Sequence, residues 1–302
     1  MIVYFKRLAN LLMAVGGIVG GALGLLYFQG HILDNADKTT IFWWSLWIIA
    51  GILIGRVIGA RMASRKLMDI QSILYKDNDP KRFLERFAPL NERIPHELAE
   101  YCNGQNSISF AHEALGEFDQ AMEDIKELKP ELLKMHALTT SSLIVNQKTN
   151  LQILRRDYEA AVYQLDDLKH LKELSDKRAK MLAANLEQQI KLHEIRIAMA
   201  KGELNADVSY IEEEIRLSTN LIHKKEMQLE LAEYNFRLEK KEEATKLLQE
   251  ILADKRGFYS ETRAEELLAD SSKVYHYTEP VRDAHGNEIG SVDSDGFVVI
   301  RE

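Results

Sequence analysis

The feature that most limits what this chain can fold into is a pair of glycine ladders, "GGIVGGALG" over residues 16–24 and "GILIGRVIG" over residues 51–59. Each sets glycine at every fourth position inside an otherwise apolar run. Glycine costs a helix about 1 kcal/mol relative to alanine, so the spacing needs another reason. In lipid no hydrophobic force draws helices together, and small residues at i, i+4 and i+8 let two backbones close on each other. Residues 8–28 carry no charge and residues 41–60 carry only Arg56. Each run is long enough to cross about 30 Å of hydrocarbon at 1.5 Å per residue. The pattern predicts a transmembrane hairpin over residues 1–66, with spans at about 8–28 and 41–60. A turn centred near residues 35 and 36 sets Gly16 against Gly55, Gly20 against Gly51, Gly24 opposite Trp47 and Gly59 opposite Leu12. Gly17 and Gly21 form a second row on a neighbouring face of the first helix. That row is either a surface for self-association into a homo-oligomer or a tolerated pair.

Flanking charge gives the hairpin a direction. Lys6 and Arg7 precede the first span, and Arg56, Arg61, Arg65 and Lys66 line the end of the second, whereas the connecting "QGHILDNADKTT" nets −1. Basic residues favour the cytoplasmic side, so both termini are expected in the cytoplasm, with Trp43, Trp44 and Trp47 at the outer interface. A cleaved signal peptide is the competing reading of the first run. Its apolar stretch exceeds the usual ~7–15 residues, and "LLYF" prolongs it past "GALG". Arg56 also has two readings. An ionisable residue within a span can mark a polar pathway, or its long stem can carry the charge to the nearby interface. Neither span contains an acidic partner for it.

Residues 1–66 hold seven basic and two acidic side chains, a net of +5, so the whole chain's −8 leaves −13 for residues 67–302. An acidic body without a basic block cannot displace counterions from phosphates, which argues against nucleic-acid binding. The single cysteine, Cys102, excludes an internal disulfide and a cysteine-based zinc site.

Residues 67–79 read as an amphipathic juxtamembrane extension of the second span. From residue 80 to 270 the chain is rich in Leu, Ala, Glu and Lys, and its only glycines are Gly104, Gly116, Gly202 and Gly257. No run alternates long enough to suggest a strand there. Four stretches share a layout: "LGEFDQAMEDIKEL", "RRDYEAAVYQLDDL", "KGELNADVSYIEEE" and "KKEEATKLLQEIL". Each has a turn, an acidic opening, a small residue near the sixth position and an apolar helical stripe. Aligning Gly116, Arg156, Gly202 and Lys241 gives intervals of 40, 46 and 39 residues, room for two helices apiece. Phe118, Tyr158, Ala121, Ala161 and Ala244 are then the residues that pack one helix of a pair on the other.

These stretches resemble the tetratricopeptide repeat family, with "GEFDQA" the best match and "RDYEAA" another. "GELNAD" departs from it, with Asp207 where the small residue belongs. The resemblance covers roughly residues 80–270 and implies an all-α solenoid of antiparallel helix pairs. Two spans followed by such pairs are similar to a group of tetratricopeptide-like membrane proteins of Gram-positive bacteria, a likeness that adds fold and location rather than activity.

The chemistry of catalysis finds no foothold in these residues. There is no phosphate-binding glycine loop, no "GxSxG" and no histidine pair at metal-ligand spacing. Neither a catalytic residue nor a metal or other cofactor is expected. A solenoid presents a surface for a protein partner, cytoplasmic or in the membrane, and the stretch "LTTSSLIVNQKTN" is the candidate groove wall, through Thr139, Ser142, Asn146 and Asn150. The readings that remain are a membrane-anchored scaffold, a structural subunit assembled through the hairpin, and a pore, for which the spans lack polar lining. Residues 271–302, with turn signals at "AHGNE" and "DSDG", read as a short β-hairpin or three-stranded tail.

Overall fold

Two long helices open the chain, α1 (Lys6–Tyr27) and α2 (Lys38–Tyr75). The computed structural model describes residues 5–27, 38–133, 136–177, 179–278, 280–282, 288–292 and 298–300. Among these, ten further α-helices follow: α3 (Pro80–Asn91), α4 (Ala99–Ala114), α5 (Phe118–Lys126), α6 (Ala137–Leu154), α7 (Tyr158–Asp176), α8 (Lys180–Ala200), α9 (Val208–Leu217), α10 (Leu221–Arg237), α11 (Lys241–Leu252) and α12 (Tyr259–Ala269). The chain divides into two compact units, Met1–Gly104 and Gln105–Glu302. The division falls inside the region 80–270 that the sequence assigns to repeats. The segment 67–79, read as an extension of the second span, begins as a direct continuation of it, because α2 runs unbroken to Tyr75.

In the first unit α1 and α2 are both long and apolar enough to cross a membrane. Their outer faces bear exposed Ile18, Leu26, Ile54 and Val57, an apolar surface that a water-soluble helix pair would bury. Their inner faces meet backbone to backbone. A Cβ on Gly16 would stand 2.2 Å from the Gly51 carbonyl oxygen and 3.1 Å from Gly55 Cα; one on Gly20 would meet Trp47 O at 2.2 Å and Gly51 Cα at 3.1 Å. Each glycine therefore sits between two residues of the opposite helix rather than facing one. Gly24 lies under Trp44 and Trp47, and Gly55 lies on Leu12 and Met13. Gly59 rests on Ala9 instead of Leu12, one turn nearer the start of α1. Gly17 and Gly21, the row expected to be spare, face Ile52 and Ile48 of α2. Trp44 turns inward to donate its indole N–H to Gly21 O at 3.0 Å, so it is not simply an interfacial ring. Arg7, Arg56, Arg61, Arg65 and Lys66 are exposed, and Lys66 Nζ lies 5.8 Å above the Phe5 ring. The Lys6 side chain and the connecting residues 28–37 lie outside the described residues.

The end of α2 is set by its own carbonyls: the amides of Lys76 and Asp77 both donate to Ser72 O, and Asn78 turns left-handed at φ 55°. Asp79 then caps α3 by accepting from Arg82 N at 3.0 Å, with Pro80 in the first helical position. Phe83 and Phe87 stack at 4.9 Å in the core of this unit, where Cys102 is also buried.

In the second unit the same turn occurs four times. After α4, α6, α8 and α10 come Gly116, Arg156, Gly202 and Glu239, all with positive φ between 61° and 80°. In each case the next residue donates to a carbonyl five positions back: Glu117 to His112, Asp157 to Gln152, Glu203 to Ala198, Lys240 to Asn235. This 6→1 bond with a left-handed residue before it is the Schellman termination of a helix. The fourth turn lies at Glu239, two residues before Lys241, where the sequence alignment set it. Helices α5, α7, α9 and α11 then begin, and the fourth residue of each is fully buried: Ala121, Ala161, Ile211 and Ala244. Ile211 resolves the irregular third stretch. Five residues, 203–207, separate Gly202 from α9, which moves the packing position from exposed Asp207 to Ile211. Three apolar clusters fill the spaces between α6, α7 and α8, between α8, α9 and α10, and between α10, α11 and α12. The first turn and the last helix of the unit also touch: Phe118 meets the Tyr259 ring edge-on at 4.8 Å. Beyond α12, three short segments, β1 (Pro280–Arg282), β2 (Glu288–Val292) and β3 (Val298–Ile300), pair antiparallel in that order. The turns at "AHGNE" and "DSDG" that would join them fall mostly outside the described residues.

Two measurements test this packing. Gly51→Val would drive a methyl into the Gly16 carbonyl, which cannot yield as a side chain tip can; it should destabilise the detergent-solubilised protein by about 1–3 kcal/mol, whereas Gly17→Ala meets only the movable Ile52 tip and should cost far less. Glu239→Gly relieves a left-handed residue whose side chain is exposed, and should raise stability in denaturant titration by about 0.5–1 kcal/mol.

Candidate functional site

Four helices of the second unit, α4, α6, α8 and α10, carry a set of buried and half-buried polar residues. Ser109 and Glu113 come from α4, Asn146, Gln147 and Asn150 from α6, His193 and Arg196 from α8, and Glu226 and Glu230 from α10. Helical spacing aims each set one way: Asn146 and Asn150 are four apart, as are Glu226 and Glu230, and Ser109 and Glu113. Ser109 donates to Ala121 O at 2.7 Å. Gln147 Nε2 donates to Glu113 Oε2 at 2.7 Å. His193 Nε2 lies 2.9 Å from Asn146 Oδ1, so this nitrogen carries the proton and Nδ1 is left to accept from Arg196 Nη1 at 3.4 Å. Arg196 holds Glu230 with two bonds, 2.8 Å from Nε and 2.6 Å from Nη2, and donates to Asn150 Oδ1.

The charge states follow from the surroundings. Burial opposes the Arg196 charge, but its ion pair with Glu230 outweighs that and holds its pKa above the ordinary value. Burial pushes Glu113 up to about 7, against the pull of Asn150, Arg196 and Gln147. Glu226 is raised well above the carboxylate range by burial and by the neighbouring Glu113, with which it shares a hydrogen bond. Burial, aided by Arg196, keeps His193 neutral and lowers His223 to about 4. The seam thus contains one full ion pair, two neighbouring carboxyls whose pKa values are raised, and two neutral imidazoles.

At one end of this seam the inner helices finish together. Arg156, Arg237 and Arg263 surround Glu233, with nitrogen–oxygen distances of 3.6, 3.5 and 3.3 Å. Arg237 also donates to Met199 O at 2.8 Å, a carbonyl in the last turn of α8. A cavity of about 50 Å³ lies here, lined in part by Tyr158, Arg196, Met199, Glu230 and Arg237. A second buried pair closes the far side. Lys225 donates to Glu261 at 2.5 Å, and Glu261 also accepts the amides of Arg256, Gly257 and Phe258, ahead of α12.

The groove wall expected from α6 is therefore a different kind of surface. Thr139 is exposed, but Ser142 is buried and returns its hydroxyl to Leu138 O at 2.8 Å. Asn146 and Asn150 are engaged by α8 rather than open to a ligand. The sequence reading missed Arg196, Glu113, Glu226 and Glu230. The available signal was their pairing at i, i+3 and i, i+4 within helix faces otherwise rich in apolar residues. Among the described residues no group of three or more His, Cys, Asp or Glu is placed to hold a metal ion. Comparison with family models, with curated proteins and with solved structures finds no match to this chain.

The raised carboxyls predict a pH dependence. Between about pH 4.5 and 7 the folded chain keeps the Glu113 proton and the unfolded chain does not, so this stabilisation is complete below pH 4.5 and is lost as pH rises through 7. His193 and His223 act in the opposite sense at lower pH, because their depressed values favour folding above 6.5. Comparison with Glu113→Gln separates the two. The variant should match wild type near pH 5 and be the more stable of the two at pH 8 in denaturant titrations; an unchanged difference across that range would contradict the assignment.

Proposed function

We propose that this protein is a membrane-anchored scaffold: the α1–α2 hairpin crosses the membrane twice with both termini in the cytoplasm, and the helix pairs form a tetratricopeptide-like solenoid that holds a protein partner there. The helix pairs support it through their repeated Schellman turns and the buried fourth residue of each second helix. The basic residues at the open end of the hairpin support the orientation. The closing strands then serve as a small β tail to the solenoid.

The observation that carries the reading is the repetition itself: four left-handed turns each close a helix with a 6→1 bond, and each precedes a helix whose fourth residue is fully buried, the layout of stacked helix pairs whose outward faces are left for a partner. The rival reading, assembly through the hairpin, is weakened by Gly17 and Gly21, which are occupied by Ile52 and Ile48 of the same chain.

Topology and binding can be tested in the full-length protein. Cysteines placed at Asn35 and Glu302 should differ in intact cells, the first labelled by an impermeant maleimide and the second only after permeabilisation; the reverse pattern would overturn the orientation. A photo-crosslinker walked through exposed positions of residues 137–252 should give a partner adduct at positions clustered on one face. Adducts confined to probes within residues 8–27 and 41–60 would favour assembly through the hairpin instead.

A further inference from the structure

Beyond α12 the chain passes, without regular structure, from Lys273 through Val274, Tyr275, His276 and Tyr277 along the ends of the inner helices. Val274 is buried in the apolar cluster of Leu248 and Leu267. Tyr275 and Tyr277 are half-buried against the neighbouring cluster of Ile153 and Tyr158, and His276 between them is exposed. The Arg156 guanidinium lies 4.3 Å over the Tyr275 ring, and Lys201 Nζ lies 5.5 Å over the Tyr277 ring. Tyr158 meets Tyr277 edge-on at 5.5 Å. Arg237 Nε donates to the Tyr275 carbonyl at 2.8 Å.

We propose that this surface is a peptide-binding site for a non-helical segment of the pattern apolar, aromatic, any residue, aromatic, and that residues 274–277 are its resident occupant, exchangeable for the same pattern in a partner protein. The proposal rests on the scaffold reading and names one of its contact points. Three observations carry it. The body supplies side chains that grip features any such peptide offers: two ring faces for cations and one main-chain carbonyl. Arg237 is held in place independently of the segment, through Met199 O and Glu233. Arg156 takes a left-handed backbone, φ 66°, at a turn where Gly116, Gly202 and Glu239 stand in sister positions; residues held in such a conformation cluster at ligand clamps, and, unlike the exposed Glu239, Arg156 has its side chain over Tyr275.

A tethered occupant competes at high effective concentration, so an added peptide should bind the wild-type chain weakly and a chain with a loosened segment well. The probe is a fluorescent peptide of residues 271–279, "SSKVYHYTE", titrated by anisotropy into the detergent-solubilised full-length protein. Tyr275→Ala with Tyr277→Ala in the protein should tighten binding at least about tenfold. Adding Arg156→Gly, a change the backbone favours, should weaken it about tenfold while the unfolding midpoint holds. A peptide with both tyrosines replaced by alanine should not bind. A folded double variant that ignores the peptide, or binds the alanine peptide equally, overturns the site. Where the double variant does not fold, hydrogen exchange on the wild type decides: millimolar peptide should speed exchange at residues 275–278, and unchanged exchange overturns the proposal. Partner adducts on residues 137–252 without peptide binding would leave the scaffold standing and remove this site alone.

Discussion

Contact between helix backbones, at positions where a side chain is reduced to a hydrogen or a methyl, is the constraint on which both units depend. In the hairpin Gly16, Gly20, Gly51 and Gly55 bring carbonyls to the distance a Cβ would occupy. In the helix pairs Ala121, Ala161 and Ala244 are fully buried at the fourth position of the second helix, a place that Ile211 takes in the third pair. The driving forces differ. Between the two apolar helices the gain is close dispersion contact and the Trp44–Gly21 hydrogen bond, whereas in the second unit it is removal of apolar surface from water.

Close packing alone leaves the inner helices free to slide, because apolar stripes tolerate shifts that keep their area buried. The polar seam removes that freedom. Arg196 reaches α6 through Asn150 and α10 through Glu230, and Gln147 reaches α4 through Glu113, so a slip of one turn would strand several buried groups at once. Such stranding is costly when the groups are charged. The seam is thus a source of uniqueness in a stack whose apolar contacts repeat.

Much of this was legible in the residues. A four-residue glycine period in two apolar runs implies an antiparallel pairing, and Gly20 does lie on Gly51. A one-to-one pairing could not show that each glycine enters a gap between two partners, which is why Gly59 falls on Ala9 rather than Leu12. The turns at Gly116, Arg156 and Gly202 were visible from composition, but Glu239 has no turn chemistry of its own and its left-handed backbone is imposed by the helices on either side. The polar stretch of α6 was visible too, yet its orientation was not. Asn146 and Asn150 find their partners 47 and 46 residues away, and nothing local distinguishes a solvated amide from one awaiting an arginine.

The length of α2 has a mechanical consequence. Its 38 residues form one rod of about 57 Å, with neither glycine nor proline after Gly59 to bend it. In the proposed membrane-anchored state a bilayer grips about 20 of those residues. Whatever sets the tilt of the gripped part, whether membrane thickness or lateral pressure, therefore acts on a lever. A change of 20°, within the range that spanning helices adopt, carries Tyr75 sideways by about 20 Å relative to the outer end of the rod. The anchor is in this sense also a gauge, one that converts the state of the membrane into the position of the helices joined to it.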